Sequence, residues 1–125
     1  RDALFCGDLL LGTGHTTWIG EYPGCVADYL DSLARVAALD LAEILPAHGP
    51  VIESPADAIA RFRRHREERI EEVRAIRSRR PGASVDEVFS EVYGDELPDR
   101  LARAARASID ALLYHVDGRS AQKPR

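Results

Sequence analysis

Two residues of this 125-residue sequence stand where chemistry is commonly built. Asp8 follows Ala3-Leu4-Phe5-Cys6-Gly7, an apolar run of strand length, so its carboxylate leaves a strand end beside a glycine. His48 lies in Pro46-Ala47-His48-Gly49-Pro50, directly after a second strand-like run, Ala42 to Leu45. Strand ends with loops are where α/β proteins assemble their sites. A carboxylate oxygen and an imidazole nitrogen together suit a divalent metal such as zinc. Each residue also has a plainer use, Asp8 as a turn cap and His48 as a loop histidine held by backbone hydrogen bonds.

His15, Thr16 and Thr17 sit in the loop after Asp8 and are candidates to face a substrate, although the two threonines would equally cap a turn. Trp18 and Tyr22 read as packing residues over that loop. The histidines His15, His65 and His115 show no HxH or HxxxH spacing to one another, so no second metal motif emerges. Cys6 and Cys25 form no CxxC pair and read as free thiols, which points to a cytoplasmic setting.

These residues need elements to hold them. The segment 12–24, with Gly12, Gly14, Gly20, Pro23 and Gly24, predicts a loop. Val26, Tyr29, Leu30, Leu33, Val36 and Ala37 recur at spacings of three and four, which predicts one apolar stripe on a helix. Strand, helix and strand in succession indicate a layered α/β (α+β) domain. Ser54-Pro55-Ala56-Asp57 opens a long helix to about Arg79, with Ile59, Phe62, Ile70, Val73 and Ile76 inward and the polar block Arg63 to Arg69 interrupting them. Ser84 and Glu87 form a capping box for a shorter helix closed by Gly94, with Val85, Val88, Phe89 and Val92 inward. A last helix runs from Pro98 to about Val116, burying Leu101, Ala105, Ile109 and Leu112, before a polar tail.

Charge is unevenly distributed. The net charge is −4, yet residues 1–60 hold nine acids and two bases, while residues 61–125 hold fifteen bases and twelve acids. Residues 61–80 alone contain nine arginines and four glutamates, and Arg100, Arg103 and Arg106 recur every three residues. A basic helical face is a candidate for holding phosphates. The plainer alternative is a solvated surface with pairs such as Arg63–Glu67 and Arg64–Glu68, and no aromatic residues interleave the arginines for base stacking. No apolar run reaches the roughly 18 residues of a membrane helix, so no membrane partner is expected. The chain contains no methionine, even at position 1, so Arg1 is expected to be internal to a longer protein.

Phe5-Cys6-Gly7-Asp8, Gly12-Thr13-Gly14-His15-Thr16-Thr17, Asp28-Tyr29-Leu30-Asp31-Ser32-Leu33 and Leu45-Pro46-Ala47-His48-Gly49-Pro50-Val51-Ile52 resemble, in this order, the second half of the metallo-β-lactamase superfamily. The likeness is to the subgroup that includes beta-lactamase-like protein 2, and Phe62-Arg63-Arg64-His65-Arg66 continues it. The resemblance implies that residues 1–52 are the C-terminal portion of a metallo-β-lactamase αβ/βα sandwich, with 53–125 a mainly helical, winged-helix-like module. It implies a metal-dependent hydrolase, with zinc the expected metal and two divalent ions in the complete protein. Asp8 would bridge them and His48 would bind the second. The substrate would be a small-molecule ester or thioester, or a phosphodiester such as RNA. An aspartate at position 8, where the main class of zinc β-lactamases carries cysteine, argues against antibiotic hydrolysis. The superfamily's HxHxDH signature is not in this sequence. With two ligands, the isolated chain is expected to be inactive, to hold metal weakly, and to self-associate through an incomplete sheet. The alternative reading is a nucleic-acid-binding or ribonuclease-associated module.

Overall fold

The computed structural model describes residues 2–10 and 18–118. Strands β1 (Asp2–Gly7) and β2 (Leu41–Pro46) pair in parallel, with Leu4 opposite Ile44 and Phe5 opposite Leu45. Parallel neighbours need a crossover, and helix α1 (Cys25–Ala37) supplies it. Helices α2 (Pro55–Arg79), α3 (Val85–Tyr93) and α4 (Asp99–Val116) follow. The architecture is therefore mixed α/β, four helices and a two-stranded sheet among the described residues. None of these helices is long and apolar enough to cross a membrane. The chain divides into two compact units, residues 2–10 with 29–66 and residues 18–28 with 67–118, the boundaries falling inside α1 and α2.

In the first unit the core is built from Leu10, Tyr29, Leu33, Leu41, Ile44, Ile52, Ala58, Ile59 and Phe62, all buried. Ile44 exchanges two backbone hydrogen bonds with Ile52, at 2.9 and 2.8 Å, so the chain returns antiparallel on the far side of β2. Within this unit the buried face of α1 follows the expected spacing at Tyr29 and Leu33. Ala37, placed on that stripe by periodicity, is exposed instead. It is the last helical residue, and the chain turns away through Leu39, whose N–H donates to Val36.

The polar block of α2 also behaves differently from its expected role as an interruption. Arg66 falls in register with Phe62 and Ile70 and is only 2% exposed, so the stripe continues through it. The expected pairs Arg63–Glu67 and Arg64–Glu68 are not those that form. Arg69 pairs with Glu72 at 2.8 Å and Arg74 with Glu71 at 3.1 Å, each one residue closer along the helix.

In the second unit the capping box is present as read. Ser84 Oγ accepts from the Glu87 N–H at 3.1 Å, and Glu87 accepts from the Ser84 N–H at 2.8 Å. Gly94, with φ +66°, ends α3. Val88, Ala105, Ser108, Ile109, Ala111, Leu112 and Leu113 are buried. At Gly20 the backbone presses on α4: a Cβ there would lie 2.6 Å from the Ala107 carbonyl carbon. Only glycine allows that approach.

Candidate metal centre

The end of the sheet brings Asp8 and His48 together. Gly7 and Pro46 are the last partners in the β1–β2 register, and the Ala47 N–H donates to the Gly7 carbonyl at 2.8 Å. That bond ties the residue before His48 to the residue before Asp8. Beyond it, Gly7 adopts φ +59° and the Leu9 N–H bonds back to the Cys6 carbonyl at 3.1 Å, a tight turn with Asp8 inside it. His48 sits on the loop between Ile44 and Ile52, whose mutual hydrogen bonds close its base, and Gly49 at φ +89° carries the bend. His48 Nε2 lies 3.5 Å from Asp8 Oδ1. The two side chains remain 77% and 67% exposed respectively.

At 3.5 Å the contact is longer than a good hydrogen bond. Two donors bound about 2.0–2.2 Å from one tetrahedral ion would be roughly 3.4 Å apart, so the observed spacing suits a shared cation. The donor types suit zinc as well. The number of donors does not suffice: among the described residues no group of three or more His, Cys, Asp or Glu side chains is placed to hold a metal. His15, Thr16 and Thr17 lie outside the described residues. Their segment is followed by Trp18, whose Nε1–H donates to Tyr93 Oη at 3.1 Å, the two rings meeting edge to face. Trp18 thus packs against Tyr93, whereas residues 11–17 of the loop it was expected to cover lie outside the described residues. Tyr22 is not a packing residue: half exposed, its hydroxyl donates to Asp28 at 2.7 Å, and that bond to an exposed carboxylate keeps it at the surface.

No family model matches the chain. Curated relatives do. Lactamase-like protein aptB of Emericella nidulans is 33% identical over 125 residues, 93% of this chain and 38% of its own length. The beta-lactamase-like protein 2 homolog of Caenorhabditis elegans is 31% identical, over 89% of this chain and 36% of its own. The chain is a relative of the lactamase-like proteins. It spans little more than a third of the length of those two relatives. Solved structures show the same fold. A beta-lactamase domain protein from Burkholderia ambifaria superposes with a TM-score of 0.84 at 24% identity, over 95% of this chain and 37% of its own. A metallo-beta-lactamase family protein from Thermus thermophilus gives 0.74 at 20% identity, over 94% and 38%.

In this lactamase-like chain, two residues near Asp8 escaped the reading from sequence. Tyr29, read only as a stripe residue, donates its hydroxyl to the Leu9 carbonyl at 3.2 Å. Arg66, read as part of a polar block, stacks its guanidinium 5.6 Å from the Tyr29 ring centre. The signal for Arg66 was available in its spacing of four from both Phe62 and Ile70. A cleft of about 490 Å³ also opens in the first unit, but Leu39, Leu41, Asp57 and Arg63 line it, at the start of β2 rather than at its His48 end.

Proposed function

We propose that this chain is part of a metal-dependent hydrolase, with zinc the expected metal, in which Asp8 and His48 supply two ligands of a site completed by residues outside the chain. The 3.5 Å approach of these side chains at the shared end of two parallel strands is the observation that carries this reading. The relatives' names and the fold of the solved neighbours are consistent with it. A bound divalent cation would supply Lewis acidity and a water of lowered pKa. The chain's own part is to hold one carboxylate oxygen and one imidazole nitrogen at a fixed separation, on strand ends braced by the Ala47–Gly7 bond. The substrate class is an ester, thioester or phosphodiester, with His15, Thr16 and Thr17 as candidates to face it. Residues 53–125 are read as an accessory, mainly helical, winged-helix-like module, and the protein as cytoplasmic. The chain alone is inactive in this account.

The open edge of β1 supports self-association. Among the described residues β1 pairs only with β2, and Phe5 on it is 80% exposed. The rival reading, a nucleic-acid-binding helical module, draws less support from the arginines. Arg77, Arg79, Arg80 and Arg106 are paired with Asp117, Glu91, Glu87 and Asp86. The test is metal content, with ester, thioester and RNA cleavage, of the longest gene product that contains this chain. The reading expects bound divalent metal and turnover, both lost in Asp8→Ala. Turnover that survives Asp8→Ala, or a metal-free and inactive product, would overturn it.

A further inference from the structure

Asp8 is held by more than its own turn. Its neighbour Leu9 offers a carbonyl that Tyr29 Oη reaches at 3.2 Å, and the next residue, Leu10, is fully buried. Tyr29 is 7% exposed, so its hydroxyl has little water to turn to and the Leu9 carbonyl is its partner in the first unit. Behind the ring lies the guanidinium of Arg66, itself 2% exposed and 5.6 Å from the ring centre. A buried charge is costly and is retained where it is well compensated. Here the face of an aromatic ring provides part of that compensation. Burial raises the Tyr29 phenol above its ordinary range, with Arg66 acting in the opposite direction, so the hydroxyl stays a donor at physiological pH.

We infer that Tyr29 and Arg66 are positioning residues for the candidate metal centre: Arg66 fixes the ring of Tyr29, and Tyr29 fixes the Leu9–Leu10 peptide, one residue beyond Asp8. Neither touches the cation site. The sequence from Asp8 to Leu10 is anchored at its start by the Cys6–Leu9 turn and at its end by buried Leu10. The Tyr29 hydroxyl bonds the peptide between those anchors. Losing it removes one of the tethers on the backbone beside Asp8 while the core packing of the ring is kept. This inference rests on the metal reading of Asp8 and His48, but the ordering of the turn is measurable without any metal.

The test uses the full 125-residue chain and the variants Tyr29→Phe and Arg66→Met. Amide hydrogen exchange is read at Asp8, Leu9 and Leu10 against the amides of Ile44, Ile52 and Phe62 elsewhere in the unit. Tyr29→Phe should speed exchange at Leu9 and Leu10 by about tenfold, as loss of one hydrogen bond implies, with the distant amides and the melting temperature little changed. Arg66→Met should act on the same amides, and combining the two variants should add little to Tyr29→Phe alone. A parallel titration with zinc chloride follows the side-chain resonances of His48 and Asp8, whose midpoint should move several-fold to higher zinc in Tyr29→Phe. Unchanged exchange at Leu9 and Leu10 would overturn the positioning role. So would a rise spread evenly over the whole unit, which would assign Tyr29 to general packing. Should zinc leave the wild-type His48 and Asp8 resonances unmoved, the metal reading fails while the exchange comparison still decides the positioning role.

Discussion

The strand-end pair and the helical unit treat their polar groups in opposite ways. Asp8 and His48 stand 3.5 Å apart, mostly exposed, on two braced loops. In the second unit the charges close on one another: Arg80 meets both Glu87 and Glu91, Arg106 meets Asp86, and Arg77 joins Asp117 and the carbonyls of Pro81 and Ala83. Groups paired in this manner are spent on local order, and exposed pairs of that kind add little stability each. The carboxylate and imidazole of the strand-end pair stand farther apart, at 3.5 Å, beyond a good hydrogen bond, with the backbone around them tied down. In the proposed function that arrangement serves as a site, and the arginine-rich helices serve as a scaffold.

The contrast predicts that stability resides in the cores and not at the pair. The largest effect should come from Leu112→Ala, which empties a position 1% exposed inside the helical unit. A loss of about 2–5 kcal/mol is expected, read as a lowered midpoint in urea with unchanged slope. Next comes Gly20→Ala, where the new methyl would meet backbone at 2.6 Å. A cost of about 1–3 kcal/mol is expected, because a helix backbone yields less readily than a side chain. An unaltered thermal midpoint would mean that the segment from Gly20 is free to move off α4.

A gentler effect is expected on acidification. Asp86, Glu87 and Glu91 are held below the ordinary carboxylate range, respectively by Arg106, by the Ser84 hydrogen bonds with Arg80, and by Arg79 with Arg80. Their folded values lie below their unfolded values of about 4, so the stability they confer is present above that pH and lost as pH falls through the lowered values. His115 is also depressed, by burial and then by Arg74, so it adds a loss that begins as pH drops below about 6.5. Melting temperatures across pH 7 to 2.5 should therefore fall in two stages, and Arg106→Ala should flatten the lower one. A profile unaltered by Arg106→Ala would show that the ion pairs of this unit are incidental. The smallest effect belongs to the pair itself. Asp8→Ala and His48→Ala should each change stability by less than about 0.5 kcal/mol, the usual range for exposed positions. A large loss at either would make them structural and erase the contrast.

Much of this was legible in the residues because local rules agreed with the fold. The capping box at Ser84 and Glu87, Pro55 at a first helical position and Gly94 at an end placed the helix limits within a residue or two. Asp8 and His48 were legible as strand-end donors for the same reason. What brings them together was not: the Ala47–Gly7 and Ile44–Ile52 hydrogen bonds join residues far apart in sequence and leave no periodic trace. Arg66 was hidden by its type, since arginine reads as surface unless its register with Phe62 and Ile70 outweighs its charge. The spacing of Tyr29 marks it as a packing ring, and its hydroxyl's partner twenty residues earlier could come only from the crossover.

Titrating this chain with zinc chloride while observing all histidine side chains by NMR decides whether Asp8 and His48 are two ligands of an incomplete metal centre. His48 is expected to shift together with the Asp8 carboxylate, with weak affinity, and either Asp8→Ala or His48→Ala should abolish the response. Zinc that binds tightly at one equivalent and survives Asp8→Ala would contradict that assignment, as would zinc that moves only His65 or His115.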